Sequence, residues 1–134
     1  MGQHSGKLTP DPTEQFKDHI LAHFEQPYHQ GERPNLGCVQ NARNPACGDE
    51  VRLQLSMDAD GRIAEAWFTG CGCIVSQAAA SILCRHVEGR TTFELGMLTP
   101  EEVLALLRVP LTPGRRRCAL LPYECLHRIL ADQQ

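Results

Sequence analysis

Three cysteines and one aspartate stand where they could bind a metal ion or carry sulfur. They are Cys47, Asp49, Cys73 and Cys118, and they lie in the turn-rich segments 44–49, 70–73 and 117–122. Three thiolates and one carboxylate suit a tetrahedral zinc or iron ion, and a thiolate is also the form of cysteine that attacks sulfur. No paired C-x-x-C knuckles mark a standard zinc module. The spacing alone therefore leaves a metal site and a reactive-thiol site both open.

Two of these cysteines are predicted to lie at helix starts. Cys73 falls between a strand and a helix, and the last helix is predicted to begin at about Cys118 or Ala119. A helix N-terminus carries partial positive charge and free N–H groups, which favour a thiolate over a thiol. Asp49 would add a weaker oxygen ligand, which is useful where a site must open.

Length and composition favour one cytoplasmic domain spanning residues 1–134, with residues 1–10 as a flexible N-terminal tail. The chain has 134 residues, of which 42% are hydrophobic, enough for one ordinary core. A net charge of −3 argues against binding to nucleic acid or to an anionic membrane surface. Seven cysteines without a secretory signal favour thiols used as ligands or nucleophiles over a disulfide framework.

The elements that must position the site are a small sheet and the helices that cover it. Alternating apolar residues from Val51 to Met57, a turn at 58–61 and a returning strand at 63–69 predict a β-hairpin. A preceding strand near 36–43 would complete a three-stranded antiparallel meander. The predicted fold class is α+β, with this sheet packed by about four to five helices.

Helix signals account for the rest of the chain. Helices are predicted from the N-cap Asp11 to near Pro27, over 76–87, from Thr99 to before Pro110, and from about 118 to 131. Residues 111–114 are predicted to form a loop. The buried stripe of the first helix is predicted to comprise Phe16, Ile20, Leu21 and Phe24.

The same segments resemble a known family. The matching residues are Asn44, Pro45, Cys47, Gly48, Asp49, Phe68, Gly70, Gly72, Cys73, Ile74, Ser76, Arg117, Cys118, Ala119 and Leu121. Over nearly the whole chain they resemble the IscU/SufU/NifU family of iron–sulfur cluster assembly scaffolds. The resemblance implies the α+β fold and a site at Cys47, Asp49, Cys73 and Cys118. It further implies zinc in the isolated protein and a transient [2Fe–2S] cluster. That cluster would be built from iron and the persulfide sulfur of a cysteine desulfurase, and passed to apo iron–sulfur acceptor proteins.

Departures from the family pattern concern one ligand and one partner. IscU-type members have a histidine directly before the third cysteine, where this chain has Arg117, similar to SufU-type members. Residues 111–115 keep only the outline of the chaperone-recognition segment, which makes dedicated chaperone binding doubtful. The large insertion usual in SufU-type members between the second and third cysteines is missing. The chain therefore combines features of both types.

Three functions follow from this comparison, in order of preference. The first is a scaffold, a carrier more than a turnover enzyme, and the second is a SufU-type zinc-dependent sulfur acceptor working with a cysteine desulfurase. The third, a purely structural zinc, is disfavoured because Asp49 is an unusual ligand for a closed site. Cys47 is the first candidate for the persulfide acceptor, because its turn looks exposed, and Cys118 is the second.

The other cysteines have simpler interpretations. Cys71 lies two residues before Cys73 and could offer its sulfur instead, although Cys73 matches the family position counted from Phe68. We expect Cys38, Cys84 and Cys125 to serve as small packing residues. The run Arg115–Arg117 is interpreted as a solvated loop that could meet an acidic partner or hold Asp49.

Overall fold

The computed structural model describes residues 12–133, with side chains from residue 17 onward. The predicted tail at residues 1–10 and the side chain of Phe16 lie outside this part of the chain. Along the described residues the elements are α1 (Pro12–Glu25), β1 (Cys38–Asn44), β2 (Asp49–Met57), β3 (Ile63–Cys71), α2 (Ile74–Val87), α3 (Thr92–Gly96), α4 (Pro100–Leu106), α5 (Pro113–Ala119) and α6 (Leu121–Asp132).

The sheet is the predicted antiparallel meander, in the order β1-β2-β3. The alternation in β2 holds, since Val51, Leu53 and Leu55 are each at most 1% exposed. It ends at Met57, which is only partly buried because the pairing with β3 shifts between Ser56 and Met57. The α+β prediction is therefore confirmed.

Helix α2 lies at the centre of the molecule and packs against a different hydrophobic cluster on each of two faces. One face joins the sheet and α6 in a core that includes Leu83, Phe68 and Ile129. The other face joins α1 and residues around α5 in a smaller cluster that includes Ala79 and Ile20. Burying a leucine, isoleucine or phenylalanine side chain contributes about 1.5–3 kcal/mol, so these two clusters hold the start of α2 rigidly.

Each edge of the sheet is covered in part. On β3, the N–H of Gly31 donates to the carbonyl of Phe68 at 2.8 Å, and the N–H of Phe68 donates to the carbonyl of His29 at 3.1 Å. The His29 ring also stacks on Trp67, with ring centroids 4.3 Å apart. On β1, the guanidinium of Arg128 from α6 donates to the carbonyl of Asn41 at 2.6 Å.

The predicted last helix is wrong at its start. The chain forms two helices here, because Pro122 has no N–H to donate to the carbonyl of Cys118 and so interrupts the helical bonding. The predicted loop at 111–114 contains the start of α5, where the hydroxyl of Thr112 accepts from the N–H of Arg115 at 3.3 Å. Cys118 therefore lies in the last turn of α5, and the predicted benefit from a helix N-terminus is wrong for this residue.

Two further differences concern the surface helices. Helix α3 was not predicted, although Thr91 and Glu94 form a capping box like that of Thr99 and Glu102 on α4, a helix whose start at Thr99 was predicted. On α1, Ile20 is buried as predicted, whereas Leu21 and Phe24 are 41% and 40% exposed. Helix α1 therefore buries a narrower stripe than its apolar residues suggest.

Candidate metal centre

The turn between β1 and β2 carries the first two residues of the site. The carbonyl of Asn44 accepts from the N–H groups of Cys47 at 3.2 Å and Gly48 at 2.9 Å, and its side-chain oxygen accepts from the N–H of Ala46 at 3.2 Å. The turn leaves Cys47 exposed, while Asp49 begins β2 at 2% exposure. One turn thus supplies an accessible thiol and a buried carboxylate.

The turn after β3 brings Cys73 onto that carboxylate. The N–H of Cys73 donates to Asp49 Oδ1 at 3.0 Å, and its thiol donates to Asp49 Oδ2 at 3.0 Å. Cys73 is the N-cap residue of α2, as predicted. Gly72 has φ +131°, and a Cβ there would stand 2.6 Å from Asp49 Cγ. Only glycine permits this approach of the two segments.

The end of α5 delivers the third sulfur. Cys118 is 4% exposed, and its Sγ lies 3.2 Å from Cys47 Sγ. The side-chain amide of Asn44 donates to Cys118 Sγ at 3.8 Å. Ligand atoms of Cys47, Asp49 and Cys118 lie within 4.8 Å of one another. Cys73 is not in this group of three, but it contacts Asp49 directly, so the four predicted site residues lie next to one another.

The structure also separates residues that the sequence left undecided. Cys71 is exposed but does not line the cleft that contains the other three sulfurs. Cys84 and Cys125 are fully buried in the core, as predicted, and Cys38 is partly buried against it. Asn44 contributes to the site through its side chain and was not predicted to do so. Its place at the start of the Asn44–Asp49 motif was the available signal.

Burial and neighbouring groups shift the pKa of two site residues, Cys118 and Asp49. Burial, the Asp49 carboxylate and the nearby Cys47 together raise the pKa of the Cys118 thiol far above its ordinary value. Burial acts to raise the pKa of Asp49 as well, but hydrogen bonds from Cys118, from the thiol and N–H of Cys73, and from Cys47 outweigh it and lower the pKa. In the metal-free protein the carboxylate thus carries the negative charge and Cys118 keeps its proton.

Three donors, those of Cys47, Asp49 and Cys118, fit one tetrahedral zinc ion with a small adjustment. Cys73 lies outside this group of three, so its sulfur must turn from Asp49 towards the ion to complete the tetrahedron. Zinc–sulfur bonds of about 2.3 Å place two ligand sulfurs about 3.8 Å apart in a tetrahedron. Cys47 Sγ and Cys118 Sγ stand 3.2 Å apart, so they need to separate by about 0.6 Å. Cys47 is exposed on a turn and can move. A cation would also reverse the proton balance, since a coordinating thiol loses its proton.

The site opens to solvent through a cleft of about 430 Å³. Arg115 and Arg117 line the cleft together with Cys47, Asp49, Cys73 and Cys118. Along the described residues neither arginine pairs with Asp49 or with another carboxylate. The alternative that the arginine run holds Asp49 is therefore not seen. The run is exposed, as expected, but it lies in α5 and not in a loop. The mouth of the cleft keeps free positive charge. Over the same part of the chain, no helix is long and apolar enough to cross a membrane.

Comparisons with known proteins identify relatives of this chain. A family model described as "NifU-like N terminal domain" matches residues 15–134. The bifunctional protein NifU/MnmA of Rubrobacter xylanophilus is 32% identical over 119 residues, which is 89% of this chain and 24% of that protein. The chain thus spans about a quarter of that relative's length.

Two further relatives have names that state an activity. The iron–sulfur cluster assembly enzyme IscU of Drosophila melanogaster is 28% identical over 124 residues, which cover 90% of this chain and 79% of that protein. The zinc-dependent sulfurtransferase SufU of Bacillus subtilis is 26% identical over 136 residues, covering 89% of this chain and 91% of that protein. Because the family model covers nearly the whole chain, the chain belongs to the family of NifU-like N-terminal domains.

Proposed function

We propose that this protein is a scaffold on which a [2Fe–2S] cluster is assembled from iron and desulfurase-derived sulfur and then transferred to apo-proteins. One observation carries the proposal: an exposed thiol, two more sulfurs and a buried carboxylate meet at the base of one open cleft. A closed structural zinc site would bury all its ligands and use only cysteine and histidine. Named relatives that assemble iron–sulfur clusters support the same role.

The four proposed ligands differ in burial and in how strongly they would bind a soft metal ion. Cys118 and Cys73 are the firmly held sulfur ligands, because Cys118 is buried and the backbone N–H of Cys73 donates to Asp49. Asp49 is the ligand most easily released, since a carboxylate binds a soft metal site more weakly than a thiolate does. Cys47 lies at the solvent side, where incoming sulfur and outgoing cluster must pass.

A resident zinc ion fits the same four residues, Cys47, Asp49, Cys73 and Cys118. Zinc would supply positive charge that keeps the thiols deprotonated until iron and sulfur arrive. We expect about one zinc per isolated chain, and loss of that zinc in each of Cys47→Ala, Cys73→Ala and Cys118→Ala. Cys38→Ala is the matched control, because Cys38 lies on β1 outside the cleft. Full zinc in all three site variants would place the metal elsewhere.

Anaerobic reconstitution tests the scaffold function. The protein is incubated with iron, cysteine and a cysteine desulfurase, and visible absorption follows cluster formation before transfer to an apo-ferredoxin. We expect a transferable [2Fe–2S] cluster in the wild type and in Cys38→Ser, and none in Cys118→Ser. Failure of the wild type to form or transfer a cluster would refute the scaffold function.

A second candidate, a zinc-dependent sulfur acceptor, is favoured by Arg117 and by the exposure of Cys47. In that reaction the Cys47 thiolate attacks the terminal sulfur of the donor's persulfide. The donor's sulfur–sulfur bond breaks, its cysteine leaves as a thiolate, and Cys47 carries the new persulfide. Sulfur acceptance by a zinc-loaded wild type that never forms a cluster would select this function over the scaffold. The SufU relative named as a zinc-dependent sulfurtransferase supports this alternative.

A further inference from the structure

Asn44, the last residue of β1, joins two segments of the metal centre. It is 8% exposed, and it lines the cleft. Its backbone carbonyl and its side-chain oxygen together accept from three N–H groups of the following turn, those of Ala46, Cys47 and Gly48. Its side-chain nitrogen donates to Cys118 Sγ at 3.8 Å. Asn44 therefore ties the turn of Cys47 to the end of α5.

The contacts of the Asn44 amide fix which of its two ends meets the sulfur. A backbone N–H can only donate, so the amide atom 3.2 Å from the nitrogen of Ala46 is the side-chain oxygen. The other end of the amide, which faces Cys118, is then the NH2 group, and this group has no acceptor atom. Cys118 Sγ is therefore the acceptor in this hydrogen bond.

The sulfur of Cys118 differs in this respect from the other two sulfurs of the site. The thiol of Cys73 donates to Asp49 Oδ2 at 3.0 Å, and Cys47 is exposed. Among residues 17–133, Cys118 Sγ is the one site sulfur that receives an N–H. Asn44 and Cys118 are both buried, and a hydrogen bond shielded from water is electrostatically stronger than one in solvent. A fixed N–H dipole thus stands ready for negative charge on Cys118.

We propose that Asn44 is a positioning residue, which holds Cys118 Sγ in the metal centre and stabilises the negative charge that this sulfur carries as a ligand. The inference rests on the proposed function, in that Cys118 is taken as a ligand. Hydrogen bonds to ligand sulfurs are among the factors that set the reduction potential of an iron–sulfur cluster. An N–H donor stabilises a sulfur more as its negative charge grows, so Asn44 favours the reduced form of the cargo.

The same contact determines which sulfur adjusts when a metal binds. Cys47 Sγ and Cys118 Sγ are 3.2 Å apart and must separate to about 3.8 Å. Burial and the amide of Asn44 both hold Cys118, whereas Cys47 is exposed. Cys47 therefore moves, and Asn44 makes Cys118 the retained ligand during sulfur entry and cluster release.

The test uses the full-length protein loaded with cobalt(II) in place of zinc. Thiolate-bound cobalt(II) absorbs in the near ultraviolet by sulfur-to-metal charge transfer, and loss of an N–H donor raises the energy of the sulfur lone pairs. In Asn44→Ser the hydroxyl can still accept from the N–H of Ala46, but the side chain is one bond too short to keep the amide contact with Cys118. Asn44→Thr is a second such variant, with a β-branched side chain that suits a strand.

Asn41→Ser is the matched control, because Asn41 is an exposed asparagine of the same strand and lies outside the cleft. At full cobalt occupancy we expect the charge-transfer band to shift to longer wavelength in both Asn44 variants and to stay in place in Asn41→Ser. The reduction potential of a reconstituted cluster should be lower in the Asn44 variants, and its lifetime several-fold shorter. Zinc affinity should fall about tenfold, as when other hydrogen bonds to a metal ligand are removed.

The band position separates this proposal from a purely structural role, which would reduce the number of filled sites but leave the band of each filled site unchanged. An unshifted band and an unchanged potential in both Asn44 variants, with an altered band in Cys118→Ser, would overturn the proposal and leave the proposed function intact. An unaltered band in Cys118→Ser would show that Cys118 is not a ligand, and would overturn both.

Discussion

Replacing Gly72 with alanine should damage the metal site, because Gly72 packs directly against Asp49. The added Cβ would stand 2.6 Å from Asp49 Cγ and 2.8 Å from Asp49 Cα, which is far inside contact distance. The backbone at φ +131° is also strained for any residue with a Cβ, at a cost of about 1–3 kcal/mol. Asp49 must move to relieve the clash.

The magnitude follows from what that movement breaks. Asp49 accepts from the N–H of Cys73 at 3.0 Å, and a hydrogen bond to a charged group contributes about 1.5–3 kcal/mol. Strain and the lost bond together lower the free energy of unfolding by about 2.5–6 kcal/mol. Zinc affinity should fall as well, because Asp49 no longer faces the sulfurs.

Gly48→Ala is the matched control for Gly72→Ala. Gly48 also has positive φ, +75°, but a Cβ there meets nothing within 4 Å. Its replacement should cost only backbone strain, about 1–2 kcal/mol, and leave zinc affinity near wild type. Urea unfolding and a competitive zinc titration measure both effects. If the two variants lost equal stability and equal zinc affinity, contact between Gly72 and Asp49 would not shape the site.

Two further predictions concern Asp49 and His23. Asp49→Ala should keep the fold by circular dichroism yet change the lifetime of a reconstituted cluster several-fold, and Asp49→Cys should hold metal tightly while blocking transfer; wild-type transfer rates in both would show that Asp49 does not gate the site. Burial, then the positive charges of His19, Arg85 and Arg108, lower the pKa of His23, so the folded protein resists its protonation. The contribution of His23 to the free energy of unfolding is fully present above its ordinary pKa of about 6.5. It is lost as the pH falls through the lower pKa of His23 in the folded protein. The urea midpoint should therefore decrease between about pH 7 and about pH 5, and the decrease should be smaller in His23→Gln; an unchanged decrease in that variant would assign it to other groups.

Sequence patterns predicted the sheet well because its signals are local. The period-two alternation of β2 and the Asp58–Gly61 turn set the hairpin, and both are present in the structure. The four site residues could be named in advance because they lie in turns and near element ends, which sheet and helix packing bring together. Their hydrogen bonds could not be predicted, since the contact between Cys73 and Asp49 depends on the conformation of Gly72.

The errors came from signals that were present but weighed too lightly. Pro122 can begin a helix or interrupt one, and here it separates α5 from α6 and moves Cys118 to a helix end. The capping box at Thr91 was as clear as the one at Thr99, but only five residues of helix follow it. The exposure of Leu21 and Phe24 depends on which neighbours α1 meets, and helical periodicity does not contain that information.

The covered sheet edges have a consequence for how the protein behaves at high concentration. An open strand edge offers unpaired N–H and carbonyl groups to any other chain, and this is a common start of aggregation. Here the His29–Gly31 connection occupies the middle of β3, and Arg128 binds the backbone of β1. The sheet thus exposes cysteines at one end, while along β1 and β3 it offers few free backbone groups with which another chain could pair. Strand pairing between copies is therefore disfavoured along these two edges.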